Sequence, residues 1–162
     1  MSDVAVKGLA ELQAFLDQLP KKMEANVMRG ALRAGANVVK DAAKSNVPVH
    51  TGLLREGIKV STRSRRGVVT ASVKATGKHA YVAKWMEYGT AAHEIVAKKG
   101  GSLFLGGFFA HAVNHPGARP HPFMRPALDT QATAAVTAVG EYVKARLDKN
   151  GFDVAEIEIG ET

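Results

Sequence analysis

The stretch Ala80-Tyr-Val-Ala-Lys-Trp-Met-Glu-Tyr-Gly-Thr90 holds the single tryptophan and two of the three tyrosines of a chain that is only 6% aromatic. Tyr81, Trp85 and Tyr88 recur at i, i+4 and i+7, the spacing that aligns side chains on one face of a short helix. Val82 and Met86 make a second apolar row, and Gly89 offers the left-handed conformation that ends a helix. An anchor of this size at mid-chain suits a small mixed domain in which helices must be joined to a sheet. The rings read as core packing rather than as a platform for a ligand or base; Trp85 is assigned to the core and Tyr88 is open to either role.

Upstream, Leu9, Leu12, Phe15, Leu16 and Leu19 follow helical spacing up to Pro20. A second helix is expected from about Lys21 to Ser45, with a stripe of Val27, Ala31, Ala34, Val38 and Ala42. Glycine inside a helix costs about 1 kcal/mol relative to alanine. Gly30 and Gly35 therefore suggest tight packing, within the fold or between subunits, and with Ala31 and Ala34 they would let another backbone approach closely. Pro48-Val-His-Thr-Gly52 breaks this helix, and Leu53-Leu54 is expected to lead into a sheet. Ile58, Val60 and Thr62, then Val69, Ala71, Val73 and Ala75, alternate with polar or small residues, the period of a half-buried hairpin. Arg63-Ser-Arg-Arg-Gly67 is its turn.

Downstream of the aromatic stretch, short strands are expected at 93–97, 103–105 and 108–113, followed by an extended loop, 114–122, with three prolines. A last helix begins at Phe123, with Leu128, Ala132, Ala135, Val139, Tyr142 and Leu147 as its apolar face and Asn150-Gly151 as its C-cap. Val154, Ile157 and Ile159 then alternate with acids, an edge strand or one added to a neighbouring subunit's sheet. The expected fold is α+β: long N-terminal helices and a C-terminal helix packed on a mostly antiparallel sheet. It forms a single domain over residues 1–150, with 151–162 as an acidic tail.

Composition narrows the chemistry. With 162 residues the chain can bury a core without disulfides, and with no cysteine it has no thiol nucleophile and no Cys-zinc site. The N-terminus lacks a charged segment followed by an apolar one, so no signal peptide is expected, and no run is long enough to span a membrane. Net charge is +7 and uneven: seven cations from Arg55 to Lys78 face Glu56 alone, whereas four from Phe123 onward face seven acids. His111 and His115, with His93 and His121, invite a metal reading, but a strand holds side chains four apart about 13 Å from one another, and no glutamate follows the first histidine. No nucleophile elbow, phosphate loop or dinucleotide fingerprint is present. Glu87 reads as an ordinary helix-end acid. Nothing assembles a nucleophile, a base and an oxyanion donor, so no enzymatic activity and no cofactor are expected. Arg63, Arg65 and Arg66 can touch phosphates without reading sequence.

Five pieces in order carry a resemblance: Gly8-Leu-Ala-Glu-Leu12, Ala31-Leu-Arg-Ala-Gly-Ala-Asn-Val-Val39, Pro48-Val-His-Thr-Gly-Leu-Leu54, Tyr81-Val-Ala-Lys-Trp-Met-Glu-Tyr-Gly-Thr90 and Pro122-Phe-Met-Arg-Pro-Ala-Leu128. Over about Val6 to Lys149 the chain resembles the phage neck and tail-component family named for the gene-ten product of lambdoid phage HK ninety-seven. The resemblance implies a non-enzymatic structural virion protein at the head-to-tail junction, made in the bacterial host cytoplasm. It implies a ring of about six copies around the DNA channel, contacting head-connector or head-closure and tail-tube proteins. Packaged DNA would be met by non-specific proximity, and no membrane is involved. On this reading Arg63, Arg65 and Arg66 face the channel, while Gly30, Ala31, Ala34, Tyr88, Val154, Ile157 and Ile159 serve close packing or the subunit interface. The alternative is a small basic nucleic-acid-binding protein acting as a monomer or dimer.

Overall fold

The computed structural model describes residues 21–98 and 100–149. The expected helix over 9–19, the Asn150-Gly151 cap and the tail residues Val154, Ile157 and Ile159 lie outside the described residues. Two long helices, α1 (Lys21–Asn46) and α4 (Met124–Asp148), run antiparallel along each other. Between them in sequence come a single turn, α2 (Leu53–Gly57), a hairpin of β1 (Ile58–Arg65) and β2 (Val68–Ala75), and α3 (Ala80–Tyr88). Four short strands follow: β3 (His93–Val96), β4 (Leu103–Phe104), β5 (Phe109–Ala110) and β6 (Ala112–His115). The architecture is α+β, but among the described residues the strands form three separate two-stranded antiparallel ladders, β1–β2, β3–β6 and β4–β5, rather than one sheet.

The α1–α4 contact is made by small residues. A Cβ on Gly35 would lie 2.6 Å from the Ala135 carbonyl oxygen and 2.7 Å from a Val139 methyl, and Gly30 lies beneath the Tyr142 ring. The buried positions of α1 and the residue after it, Val27, Ala31, Gly35, Ala43 and Val47, are spaced in multiples of four. Four residues advance the helix by about 40° beyond one turn, so the row winds around α1, from the close contact with α4 at Gly35 to the core that Ala43 and Val47 share with the hairpin, α3 and the start of α4. On α4 the buried set is Ala127, Val143 and Leu147, not the expected face as a whole: Leu128 is exposed and Tyr142 is spread over Gly30.

A core of Ala43, Val47, Ile58, Ala83, Phe123 and Ala127 gathers where the C-terminal end of α1, the hairpin, α3 and the start of α4 converge. Leu53-Leu54 does not lead directly into the sheet. Gly52, at φ 79°, starts the turn of α2, the Glu56 N–H donates to the Gly52 carbonyl, and Leu54 turns to the core. The largest correction concerns α3. Tyr81, Trp85 and Tyr88 are 54%, 52% and 65% exposed, so Trp85 is not a core residue. The inward side is Ala83 with Met86 half-buried, because a nine-residue helix seated among α2, the hairpin and α4 fits closely only through a small side chain. The aromatic row is turned outward, Tyr81 and Trp85 in edge contact at 4.8 Å. Gly89 ends α3 at φ 71° and ψ −173°, an extended conformation open essentially to glycine alone rather than the left-handed one. A Cβ there would lie 2.5 Å from the Ala118 carbonyl oxygen.

Candidate functional site

Three surfaces surround this body. The first is the hairpin. β1 and β2 pair from Ile58–Ala75 to Arg65–Val68, leaving Arg66-Gly67 as a two-residue turn with both φ angles positive, 51° and 81°. That is the geometry hairpins favour, because its twist matches that of the strands. The expected turn at Arg63–Gly67 is therefore shorter, and Arg63 and Arg65 stand on β1. Strand alternation places Lys59, Arg63, Arg65 and Lys74 on the outer face, while Val69, Ala71, Val73 and Ala75 line the inner one. Lys59 sits directly opposite Lys74.

The second surface is a cleft of about 640 Å³ between α1, α3 and α4, with Ala71 and Val73 of β2 also lining it. Leu32, Val39, Leu128, Val136 and Val139 give it apolar walls, Gly35 lies in it, and Tyr88 stands at its edge. None of the three arginines lines it. Glu87, Met124 and Arg125, which also line the cleft, form the junction that fixes α3 to α4. The Glu87 Oε2 accepts hydrogen bonds from the Phe123 and Met124 N–H groups at 2.8 and 2.9 Å, and Oε1 accepts from Arg125 N–H at 2.9 Å. Pro126, next in line, has no N–H. Glu87 and Pro126 together account for every unpaired donor at the start of α4, and the carboxylate sits at the positive end of the helix dipole. Burial raises the Glu87 pKa, whereas the Met124, Phe123 and Arg125 N–H groups and the Arg125 charge lower it. The lowering prevails, and Glu87 titrates below the ordinary carboxylate value. Sequence reasoning took this residue for an ordinary helix-end acid; the signal for its role was Phe123-Met-Arg-Pro126, a helix start with no Ser, Thr, Asp or Asn to cap it.

The third surface is an arm. Thr90 bridges Ala118, β3 pairs with β6 from His93–His115 to Val96–Ala112, and β4 pairs with β5 out to Phe104–Phe109. Leu105 N–H closes the tip onto the Phe108 carbonyl at 2.9 Å. Neither ladder has extensive contact with the helices or the β1–β2 hairpin. At the root, Trp85, Ile95 and the cross-strand pair His93 and His115, ring centres 5.1 Å apart, line a second cleft of about 780 Å³. His93 Nδ1 lies 3.0 Å from the Ala91 carbonyl, and His115 Nδ1 accepts from Gly117 N–H. Among the described residues no three His, Asp or Glu side chains are grouped as metal ligands would be, and no helix is long and apolar enough to cross a membrane.

Of the residues singled out in the sequence, Ala31 is buried and Gly30 is covered by Tyr142 of the same chain, Ala34 is half-buried, and Tyr88 is exposed beside the cleft. No curated protein and no solved structure matches the chain. One family model does, over α1, α2, the hairpin and α3, ending at the root of the arm; the Pro122–Leu128 piece falls beyond it. Residues 10–89 match the HK97-gp10-like family, described as "Bacteriophage HK97-gp10, putative tail-component", which establishes over those residues the resemblance read from the sequence.

Proposed function

We propose that the chain is a structural, non-enzymatic virion protein at the head-to-tail junction of a long-tailed phage, forming a neck or tail-completion ring around the DNA channel. The observation that carries this reading is the match of residues 10–89 to a phage tail-component family. The hairpin supports it. Four cations share its outer face, and the opposed Lys59 and Lys74 repel each other at a cost of up to about 1 kcal/mol. A polyanion alongside relieves that repulsion, as DNA in a channel would. In the ring, head-connector or head-closure proteins lie on one side and tail-tube proteins on the other.

The test is solution mass, measured for the chain alone and with head-connector and tail-tube proteins. A ring protein forms a closed oligomer or joins those partners. A chain that stays monomeric with all of them, yet binds DNA tightly with a steep salt dependence, is the small basic nucleic-acid-binding protein that the same hairpin face favours second. Replacing Arg63, Arg65 and Arg66 with Ser leaves stability within about 0.5 kcal/mol, because all three are exposed. DNA retention in phage particles falls. Normal particles from the triple variant remove the channel-facing role.

A further inference from the structure

The arm and the cleft are opposite in shape and alike in chemistry. Phe104, Phe108 and Phe109, at 66%, 61% and 70% exposure, crowd the arm's tip, and the Phe104 and Phe109 rings meet at 5.2 Å without covering each other. A two-stranded ribbon alone in water is marginally stable at best, and this one spends three large apolar side chains on no core of its own. The cleft offers apolar walls with glycine among them and has no described side chain filling it.

We propose that the arm docks in trans: its phenylalanine tip enters the α1–α3–α4 cleft of a second copy of this chain. This deepens the ring reading above and rests on it. The arm does not reach its own cleft. Tyr88 and Met124, at the cleft's edge, flank the arm's root, whereas Phe109 lies nine residues beyond Ala118 along the shorter edge. No described residue of the arm lines that cleft, and a straight arm at about 3.3 Å per residue would hold the tip up to about 30 Å from its root. Size agrees with a stable contact. Three phenylalanines of about 150–250 Å² each, already about one-third covered, can bury roughly half of the 800 Å² that one partner contributes to a standard interface, the strand residues beside them supplying the rest. Tip and cleft are different surfaces, so the contact is head-to-tail, repeats from copy to copy, and makes a ring when the rotation closes.

The chain has no cysteine, which makes cross-linking clean. Full-length Phe108→Cys and Val136→Cys variants are mixed in equal amounts and oxidised. The expected product is a disulfide-linked heterodimer in excess of either homodimer. Replacing Phe104, Phe108 and Phe109 together with Ser weakens self-association at least about tenfold and leaves the circular-dichroism melt unchanged. If the wild type is oligomeric by native mass but no heterodimer forms, the docking is wrong while the ring stands. A wild type that stays monomeric at every concentration, alone and with head-connector and tail-tube proteins, overturns both. Capture of Val136→Cys by Leu12→Cys within one chain, with no capture by Phe108→Cys, overturns the proposal and assigns the cleft to the chain's own N-terminal segment.

Discussion

The helical body and the β-arm follow opposite rules. In the body the decisive residues are small: Gly30, Ala31 and Gly35 let α1 lie against α4, and Ala83 seats α3. In the arm they are large and outward, Phe104, Phe108 and Phe109 at the tip and Val96 along the ladder. Close packing stabilises through many short contacts among atoms the chain already owns. Exposed aromatics stabilise nothing until something covers them. The body therefore draws its stability from contacts within one chain, whereas the aromatic tip of the arm contributes none to that chain alone.

The strongest way to break this contrast is to overfill the body. Gly35→Val drives side-chain atoms into the Ala135 carbonyl and the Val139 methyl, and should cost about 3 kcal/mol, the upper end for overpacking. Thermal unfolding measures it; an unchanged melting temperature would mean α1 and α4 can part without loss.

A smaller effect sharpens the account of how the body is joined. Glu87→Gln keeps the side-chain shape but removes one acceptor and the charge, and should cost about 1–2 kcal/mol at neutral pH. Because the folded pKa of Glu87 lies below its unfolded value, the cap contributes fully above about pH 4.3. It is lost as pH falls through the folded pKa. Denaturant melts of the two proteins should then converge in acid. A gap that persists at pH 2 would assign the loss to packing rather than to charge.

The smallest effect is expected from the arm. Replacing residues 93–115 with a short Gly-Ser turn should shift the melt by no more than about 0.5 kcal/mol, since the arm shares little with the body. A large loss would show that the ladders brace the domain.

Much of the body was legible because periodicity reports it. α1, the hairpin and α4 follow from stripes and alternation, and the hairpin's inner face is as the alternation implies. Orientation was harder. On α3 the row of Tyr81, Trp85 and Tyr88 outweighs Ala83 in apolar area, yet tight seating favours the smaller residue. On α4 the difference between Leu128 and Ala127 is one position, and the start of the helix decides it: Phe123 is buried and Glu87 holds the next two N–H groups. The cleft was not legible at all, because it is made by residues far apart in sequence that leave space between them. The phenylalanines of the tip were visible as strand residues, but alternation alone does not tell an arm from a sheet.

The pairing of α1 with α4 also sets an order in time. Gly30 meets Tyr142 and Gly35 meets Ala135, so partners in space are separated by about a hundred residues of chain. A ribosome adding roughly 5–20 residues per second presents α1 some 5–20 s before the helix that covers it. Throughout that interval the glycine-alanine face of α1 is bare, and the cleft, whose other wall is α4, does not yet exist. If arms dock in trans as proposed, a nascent chain cannot receive one, and assembly would wait for completed copies.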